Sequence, residues 1–326
     1  MRHLFIINPA AALVKGNVAA VRGSITSFFK DYTEIKYDIF VTEWSRDAVS
    51  YIKQYVRKNG SENNDVIRIH AIGGTGLLFE VVNGVMGFDN VEVASHPYGK
   101  SNAFLKYFKP MYIDLFSSME KQIFSKSEPM DVFGIGSVYG MCYSVIGLES
   151  YANVLAYKMI QYGIPTDLSF LVNGAASVLI GDLGQRYSVF IDGLEINGDF
   201  ASIMIGNTPC YSTDMYPAVD AHPDDGLLDI YLFKKTSRLR LLTCIPSYVT
   251  GKYHELPDLV SHYKARSIGI SSDETMCITI DGEILYRTTI EFAIIPKAVR
   301  FVLPDGIDMA KLPLVYNRPE EGLRGE

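Results

Sequence analysis

The residues best placed to do chemistry in this chain are Gly73, Gly74, Thr75 and Gly76. They separate two apolar stretches. Val66–Ile72 precedes them with β-propensity, and Leu77, Leu78, Val81, Val82 and Val85 follow at helical spacing. A strand, a tight glycine turn and a helix aim several backbone N–H groups and the positive end of a helix at one point, an arrangement that suits a phosphate. Other polar stretches also follow directly on strand-like runs: Asn8-Pro9, Thr42, and the His96–Asn102 loop with Gly99, Lys100 and Asn102. If the strands lie side by side, these groups reach one sheet edge, and a nucleotide or phosphate site is then favoured over a bare turn.

The second half offers two further constellations. Asp224-Asp225-Gly226 stands just before the apolar run Leu228–Phe233 and, taken alone, reads as a polar turn. Asp281-Gly282 lies between alternating segments, and Asp-Gly is a strong signal for a two-residue hairpin. Lys234, Lys235, Arg238 and Arg240 form a basic group on a strand-to-helix connection. Solvated charge is the plainer reading of that group, and an anionic membrane surface is the alternative.

The elements that must position these residues follow from periodicity. Leu4–Ile7, Ile35–Val41, Val66–Ile72 and Val91–Ser95 read as strands. Helices are expected over Val18–Phe29, after a Ser45 cap with a buried side of Ala48, Ile52, Tyr55 and Val56, and from the glycine turn to about Met86. Asn59-Gly60 should stop the second helix. Alternating strands and helices give a mostly parallel, helix-covered sheet. After about Glu128, period-two strands dominate: Val132–Tyr139, Ser177–Ile180, Tyr187–Ile191, Ala201–Ile205, Leu228–Phe233, Met276–Ile280 and Thr289–Ile295, interrupted by a helical stretch at Tyr151–Tyr162. That pattern predicts a mainly antiparallel, sandwich-like second domain. The expected division is 1–118 for the α/β domain, 119–304 for the β-rich domain and 305–326 for a polar tail that packs back on the first domain.

Composition narrows the classes. The chain has 326 residues, enough for two domains with real cores, with 48% apolar and 21% charged residues. A net charge of −7 and the lack of a basic arm argue against nucleic acid as a partner. No apolar run reaches the roughly 18 residues of a membrane span, and Met1–Ile7 reads as a first strand rather than a signal peptide. Cys142, Cys210, Cys244 and Cys277 are scattered and read as ordinary core residues of a reducing, cytoplasmic protein.

Several of these motifs, in this order, resemble the diacylglycerol kinase and sphingosine kinase family. Ile7-Asn8-Pro9 resembles that family's first motif, and Val41-Thr42-Glu43 the element after its second strand. Gly73–Asn83 resembles G-G-D-G-T-L-N-E-V-V-N, with Thr75 in the place of the aspartate, Leu77 of the threonine and Phe79 of the asparagine. Pro97–Phe104 resembles P-x-G-T-G-N-D-F, with Lys100, Ser101 and Ala103 as the departures. Asn207-Thr208-Pro209, Asp220–Asp229, Gly251–His254 and Asp281-Gly282-Glu283 follow the family pattern more closely.

The resemblance implies an α/β domain of the NAD kinase and diacylglycerol kinase type plus a β-sandwich-like domain. It implies ATP and Mg2+ as cofactors and phosphoryl transfer to a lipid hydroxyl. ATP would lie against Asn8, Pro9, Thr42, Gly73, Gly74, Thr75, Gly76, Phe79, Gly99, Lys100 and Asn102. A structural magnesium would sit on the Asp225 carboxylate and the backbone carbonyls of His222 and Leu227. Asp281 and Glu283 would face the cleft and supply the base for the acceptor hydroxyl. Thr75 carries no charge for the nucleotide's metal, Leu77 cannot donate to a phosphate, and Phe79 would place apolar bulk in the nucleotide pocket. Lys100 offers a compensating point charge. Three readings follow: an active lipid kinase, a non-catalytic nucleotide- or lipid-binding regulatory pseudokinase, and a soluble-substrate kinase resembling NAD kinase. The lipid reading brings a peripheral contact with the inner membrane face, and a homodimer is compatible with all three.

Overall fold

The computed structural model describes residues 1–60, 65–108, 112–161, 176–179, 183–210, 215–307 and 312. Four strands open the chain: β1 (Arg2–Ile7), β2 (Lys36–Val41), β3 (Ile67–Gly73) and β4 (Val91–Pro97). They pair in parallel in the order β2-β1-β3-β4. Helices α1 (Val18–Phe28), α2 (Asp47–Asn59) and α3 (Thr75–Val85) connect them. The inner strands β1, β3 and β4 are buried on both faces, whereas the edge strand β2 is half-buried. Leu4, Ile6, Ile69 and Ala71 pack with the buried sides of α2 and α3. Phe5, Ile7 and Ile72 pack with Val21 and Ile25 of α1 on the opposite face.

Short helices α4 (Ala103–Lys106), α5 (Ile113–Ser117) and α6 (Met119–Phe124) then lead into the second half. Its strands are β5 (Ser127–Ile135), β6 (Val138–Gly140), β7 (Tyr143–Gly147), β8 (Gln185–Ile191), β9 (Leu194–Gly206), β10 (Leu228–Lys234), β11 (Val260–Ala265), β12 (Ser267–Ile280) and β13 (Glu283–Val302). Helix α7 (Leu148–Gln161) follows β7, and α8 (Arg238–Thr250) follows β10. Within this half every pairing is antiparallel. The long β13 crosses back: Arg300 and Phe301 pair in parallel with Glu92 and Val93 of β4. The two halves therefore share one continuous hydrogen-bonded sheet.

Two expectations fail locally. Ser45 does not cap α2; Arg46, at φ 65°, precedes Asp47, whose Oδ2 accepts from the Glu43 amide at 2.9 Å. A reverse-turning Arg46 lets the Asp47 side chain fasten the entry loop instead. The strand expected at Ser177–Ile180 is helical over 176–179, and Ile180 lies outside the described residues. Tyr162, the expected end of the interrupting helix, also lies outside them. Of the expected tail, 305–307 and Leu312 are described: the Asp305 amide donates to Ser125 Oγ and Leu312 joins the main apolar cluster. The remaining tail positions lie outside the described residues.

Polar groups are also buried beside the parallel strands. His3 Nδ1 lies 3.0 Å from His70 Nε2, and His70 Nδ1 lies 3.0 Å from His96 Nε2, so three imidazoles on β1, β3 and β4 form one hydrogen-bonded row. Next to it Arg68 donates to Glu92 Oε2 from two nitrogens at 2.9 and 2.7 Å and to the carbonyls of Gln122, Ile123 and Ser125. Those carbonyls end α6, so the guanidinium pins the crossover to the first half. The four cysteines are buried and unbridged.

Candidate functional site

The glycine turn forms as its composition requires. Gly74 is the residue before α3, and a Cβ on it would lie 2.6 Å from the Ser101 carbonyl oxygen. A Cβ on Gly99 would lie 2.3 Å from the Gly74 Cα. The two loops thus cross backbone to backbone, a contact that only glycine permits. The amides of Tyr98 and Gly99 donate to the Gly73 carbonyl at 3.1 and 2.9 Å. The Leu13 amide donates to the Tyr98 carbonyl at 3.0 Å, drawing the loop after β1 to the same edge.

Asn8, Pro9, Thr42, Gly73–Gly76 and Gly99–Asn102 all follow the carboxyl ends of the parallel strands. Asn8 Oδ1 accepts from the Ala10 amide at 2.9 Å. The Thr42 amide and hydroxyl both point to the Ile7 carbonyl. Asn102 Nδ2 donates to the Gly99 carbonyl at 2.8 Å and holds that loop in shape. Lys100 is exposed on the loop, and Gly76 is exposed at the start of α3.

Thr75 is committed to the second loop. Its amide donates to the Ser101 carbonyl at 2.9 Å, its hydroxyl reaches the same oxygen at 3.1 Å, and the Ala103 amide donates to Thr75 Oγ1 at 3.0 Å. One of the helix-end amides available for a phosphate is therefore spent within the chain. The short hydroxyl does this work where a carboxylate would be repelled by the Ser101 carbonyl.

Phe79 is a correction. It is 3% exposed and packs with Phe133, Ile146, Ile278 and Ile280 in the apolar core of the second half. Its ring is spent in that core and offers almost no exposed surface to a nucleotide. Asn83 extends the same seam: its Nδ2 donates to the carbonyl of Tyr139, and the Tyr139 amide donates back to Asn83 Oδ1 at 2.9 Å. Leu77 is likewise buried, against Gly73.

The hairpin at Asp281-Gly282 forms with φ 46° and 96°, and Ile280 pairs with Glu283 across it. Both central residues at positive φ make the turn type that matches strand twist. Its carboxylates do not both face the cleft. Asp281 is 4% exposed, and its oxygens accept from the amides of Met141, Cys142 and Tyr143 at 2.6 to 3.2 Å. Burial pushes the Asp281 carboxyl up to about 6, against the pull of those three amides. Glu283 instead reaches the seam, where its Oε2 meets Arg46 at 3.3 Å. Glu80 of α3 stands nearby and accepts from the Ala48 amide at 3.2 Å. Burial raises the Glu80 pKa, the Arg46 and Ala48 amides oppose it, and Glu283 and Asp47 add repulsion.

The acidic turn before β10 is held by a residue that sequence reasoning missed. Asp131 of β5 is fully buried; its Oδ2 accepts from the Gly226 amide and its Oδ1 from the Lys297 amide, both at 2.7 Å. The Asp131 amide donates to the Pro223 carbonyl. Asp225 does not offer a free carboxylate to magnesium. Its Oδ1 accepts from the Leu227 amide at 2.9 Å and its Oδ2 from Lys264 Nζ at 3.0 Å. The His222 imidazole faces Tyr107 Oη at 3.4 Å. The Asp225 carboxylate is thus already engaged by the Leu227 amide and Lys264, and among the described residues no group of three or more His, Cys, Asp or Glu could hold a metal. A single histidine within each of the apolar runs of β1, β3 and β4 was the available signal for the His3, His70 and His96 row. Asp131 and Lys264 had no such local signal.

Residues 2–135 match the diacylglycerol kinase catalytic domain, and residues 143–303 match the YegS C-terminal NAD kinase beta sandwich-like domain. The Staphylococcus haemolyticus protein named "Putative lipid kinase SH2167" is 27% identical over 267 residues, covering 81% of this chain and 84% of its own. A Staphylococcus epidermidis protein, "Putative lipid kinase SERP0390", is 25% identical over 292 residues, 89% of this chain and 91% of its own. A solved diacylglycerol kinase structure from Bacillus anthracis str. Sterne aligns with TM-score 0.66 at 19% identity, over 94% of this chain and 98% of that one. Fold and domain order therefore agree: a kinase-type first domain is followed by a β-sandwich-like second. No described helix is long and apolar enough to cross a membrane.

Proposed function

The chain belongs to the diacylglycerol kinase family, and from that premise we propose that it binds ATP and transfers its terminal phosphoryl group to a lipid hydroxyl. In this proposal residues 1–118 serve the nucleotide and 119–304 the acceptor. The observation that carries it is the crossing of Gly74 and Gly99 beneath the start of α3, with Asn8 and Thr42 at the same edge. Phosphoryl transfer is mostly positioning and charge stabilisation, which such a loop supplies through backbone N–H groups. Gly76 gives the phosphates open access, and Lys100 adds a mobile positive charge. Magnesium bound with ATP would neutralise phosphate charge; the loop itself, with Thr75 turned onto Ser101, contributes no carboxylate to it.

The acceptor hydroxyl must lose a proton. Asp281 has the proton affinity for that role but is turned onto the 141–143 amides, whereas Glu283 has access but is neutralised by Arg46. Catalysis therefore requires Asp281 to release those amides as the acceptor binds. The same observation favours a second reading, in which nucleotide or lipid binds without transfer.

The discriminating experiment supplies labelled ATP, magnesium and diacylglycerol in mixed micelles. Label in the lipid, lost in Asp281→Asn while ATP binding persists, supports the kinase. ATP binding with no labelled lipid supports the second reading. Absence of both rejects the nucleotide site.

A further inference from the structure

Lys264 stands opposite Asp229 in the β10–β11 pairing, so their side chains leave the sheet on the same side. Its ammonium reaches three oxygens: the Asp220 carbonyl at 2.9 Å, Asp225 Oδ2 at 3.0 Å and Asp229 Oδ2 at 3.2 Å. The contacts with Asp220 and Asp225 are hydrogen bonds, while the contact with Asp229 Oδ2, which has no hydrogen-bond partner, is an ion pair by distance alone. Asp229 is completely buried, and its other oxygen lies 2.6 Å from His262 Nε2, whose ring stacks on Tyr231 at 4.3 Å. A buried carboxylate of this kind requires a positive partner. The chain supplies one covalently, from the strand next to the turn.

We propose that Lys264 is the resident cation of the 220–229 turn and stands in place of the divalent metal that the family resemblance places there. The turn is then stable without metal. A divalent ion on Asp225 would have to displace the ammonium from that carboxylate, and Asp229 would lose its neighbour with it. The inference concerns this turn only, and holds whether or not the chain transfers phosphate.

Thermal melting of the full-length protein in EDTA and in magnesium chloride tests it, together with metal analysis of protein purified without added metal. The unmodified protein should melt at the same temperature in both, to within about 1 °C, and should carry no stoichiometric divalent ion. Lys264→Met, which keeps the chain length and removes the charge, should melt roughly 5 °C lower, the size expected for losing a partly buried ion pair in a domain of this length. Lys264→Arg, which keeps the charge, should recover most of that loss. A drop of several degrees in EDTA that magnesium reverses, a retained stoichiometric metal, or an unchanged melt for Lys264→Met would overturn the proposal. If Lys264→Met does not fold, the EDTA and metal-content measurements on the unmodified protein decide alone.

Discussion

The glycine loops after β3 and β4 and the acidic turn before β10 both follow their family's pattern, but they diverge from it in opposite ways. At the loops the distinctive side chains are gone. Thr75, Leu77 and Phe79 stand where polar or charged residues are expected, yet the backbone crossing of Gly74 and Gly99 is intact. At the turn the distinctive residues Asp224, Asp225, Gly226 and Asp229 are present, yet the carboxylates of Asp225 and Asp229 are already met by Lys264. A motif's letters therefore report neither the fate of the backbone nor the identity of the counter-charge. Backbone geometry survives side-chain replacement when glycines hold it, and a conserved-looking carboxylate can change partner through one residue on a neighbouring strand.

The sharpest way to break the first half of this comparison is at Phe79. If it is core rather than pocket lining, Phe79→Asn should cost about 3–5 kcal/mol, since it opens a cavity and buries an amide. Urea unfolding measures this, and a loss below about 1 kcal/mol would return Phe79 to the nucleotide pocket.

The histidine row beneath the loops gives the next largest effect. Burial lowers His3 to about 3 and His96 to about 4, and it lowers His70 further below 6.5, with repulsion from His96, His3 and Arg68 adding to it. The folded state therefore resists protonation that the unfolded chain accepts. The contribution is fully present above pH 6.5 and is lost as pH falls toward 4. His96 alone accounts for about 3 kcal/mol over that window. Urea midpoints that stay flat from neutral pH down to that range would contradict the neutral row.

A smaller effect sharpens the loop itself. Thr75→Val keeps the shape of the side chain but removes the acceptor for the Ala103 amide and the donor to Ser101. It should cost about 1–2 kcal/mol and speed amide exchange at Ala103. Unchanged exchange there would mean that the hydroxyl does not fasten the loops.

The legible parts of this molecule were those written in local pattern. Apolar runs ending in Asn8, Thr42 and Gly73 gave the parallel strands and their shared edge, and Ala48, Ile52, Tyr55 and Val56 gave the buried side of α2. The Asp281-Gly282 turn was also legible, because positive φ at two successive residues selects for it. The direction of the Asp281 carboxylate was not, since nothing in a turn signal says which amides lie beneath it. Ser45 was misread because Arg46 adopts a left-handed conformation that no propensity announces. Phe79 was misplaced because its loop position in the family was weighed above the side of α3 on which it falls. Lys264 and Asp131 were invisible for a common reason: each meets its partners across the sheet, 39 positions from Asp225 and 95 from Gly226.

The central claim is that the crossing of Gly74 and Gly99 is a nucleotide phosphate site. Isothermal titration of ATP with magnesium into the unmodified protein and into Gly99→Ala tests it most directly. The added methyl would strike Gly74 Cα at 2.3 Å and part the loops, while the buried core is untouched. The unmodified protein should bind, and Gly99→Ala, shown by its melting to be folded, should bind at least tenfold more weakly, about 1.4 kcal/mol. No binding by the unmodified protein, or equal binding by a folded Gly99→Ala, would contradict the account.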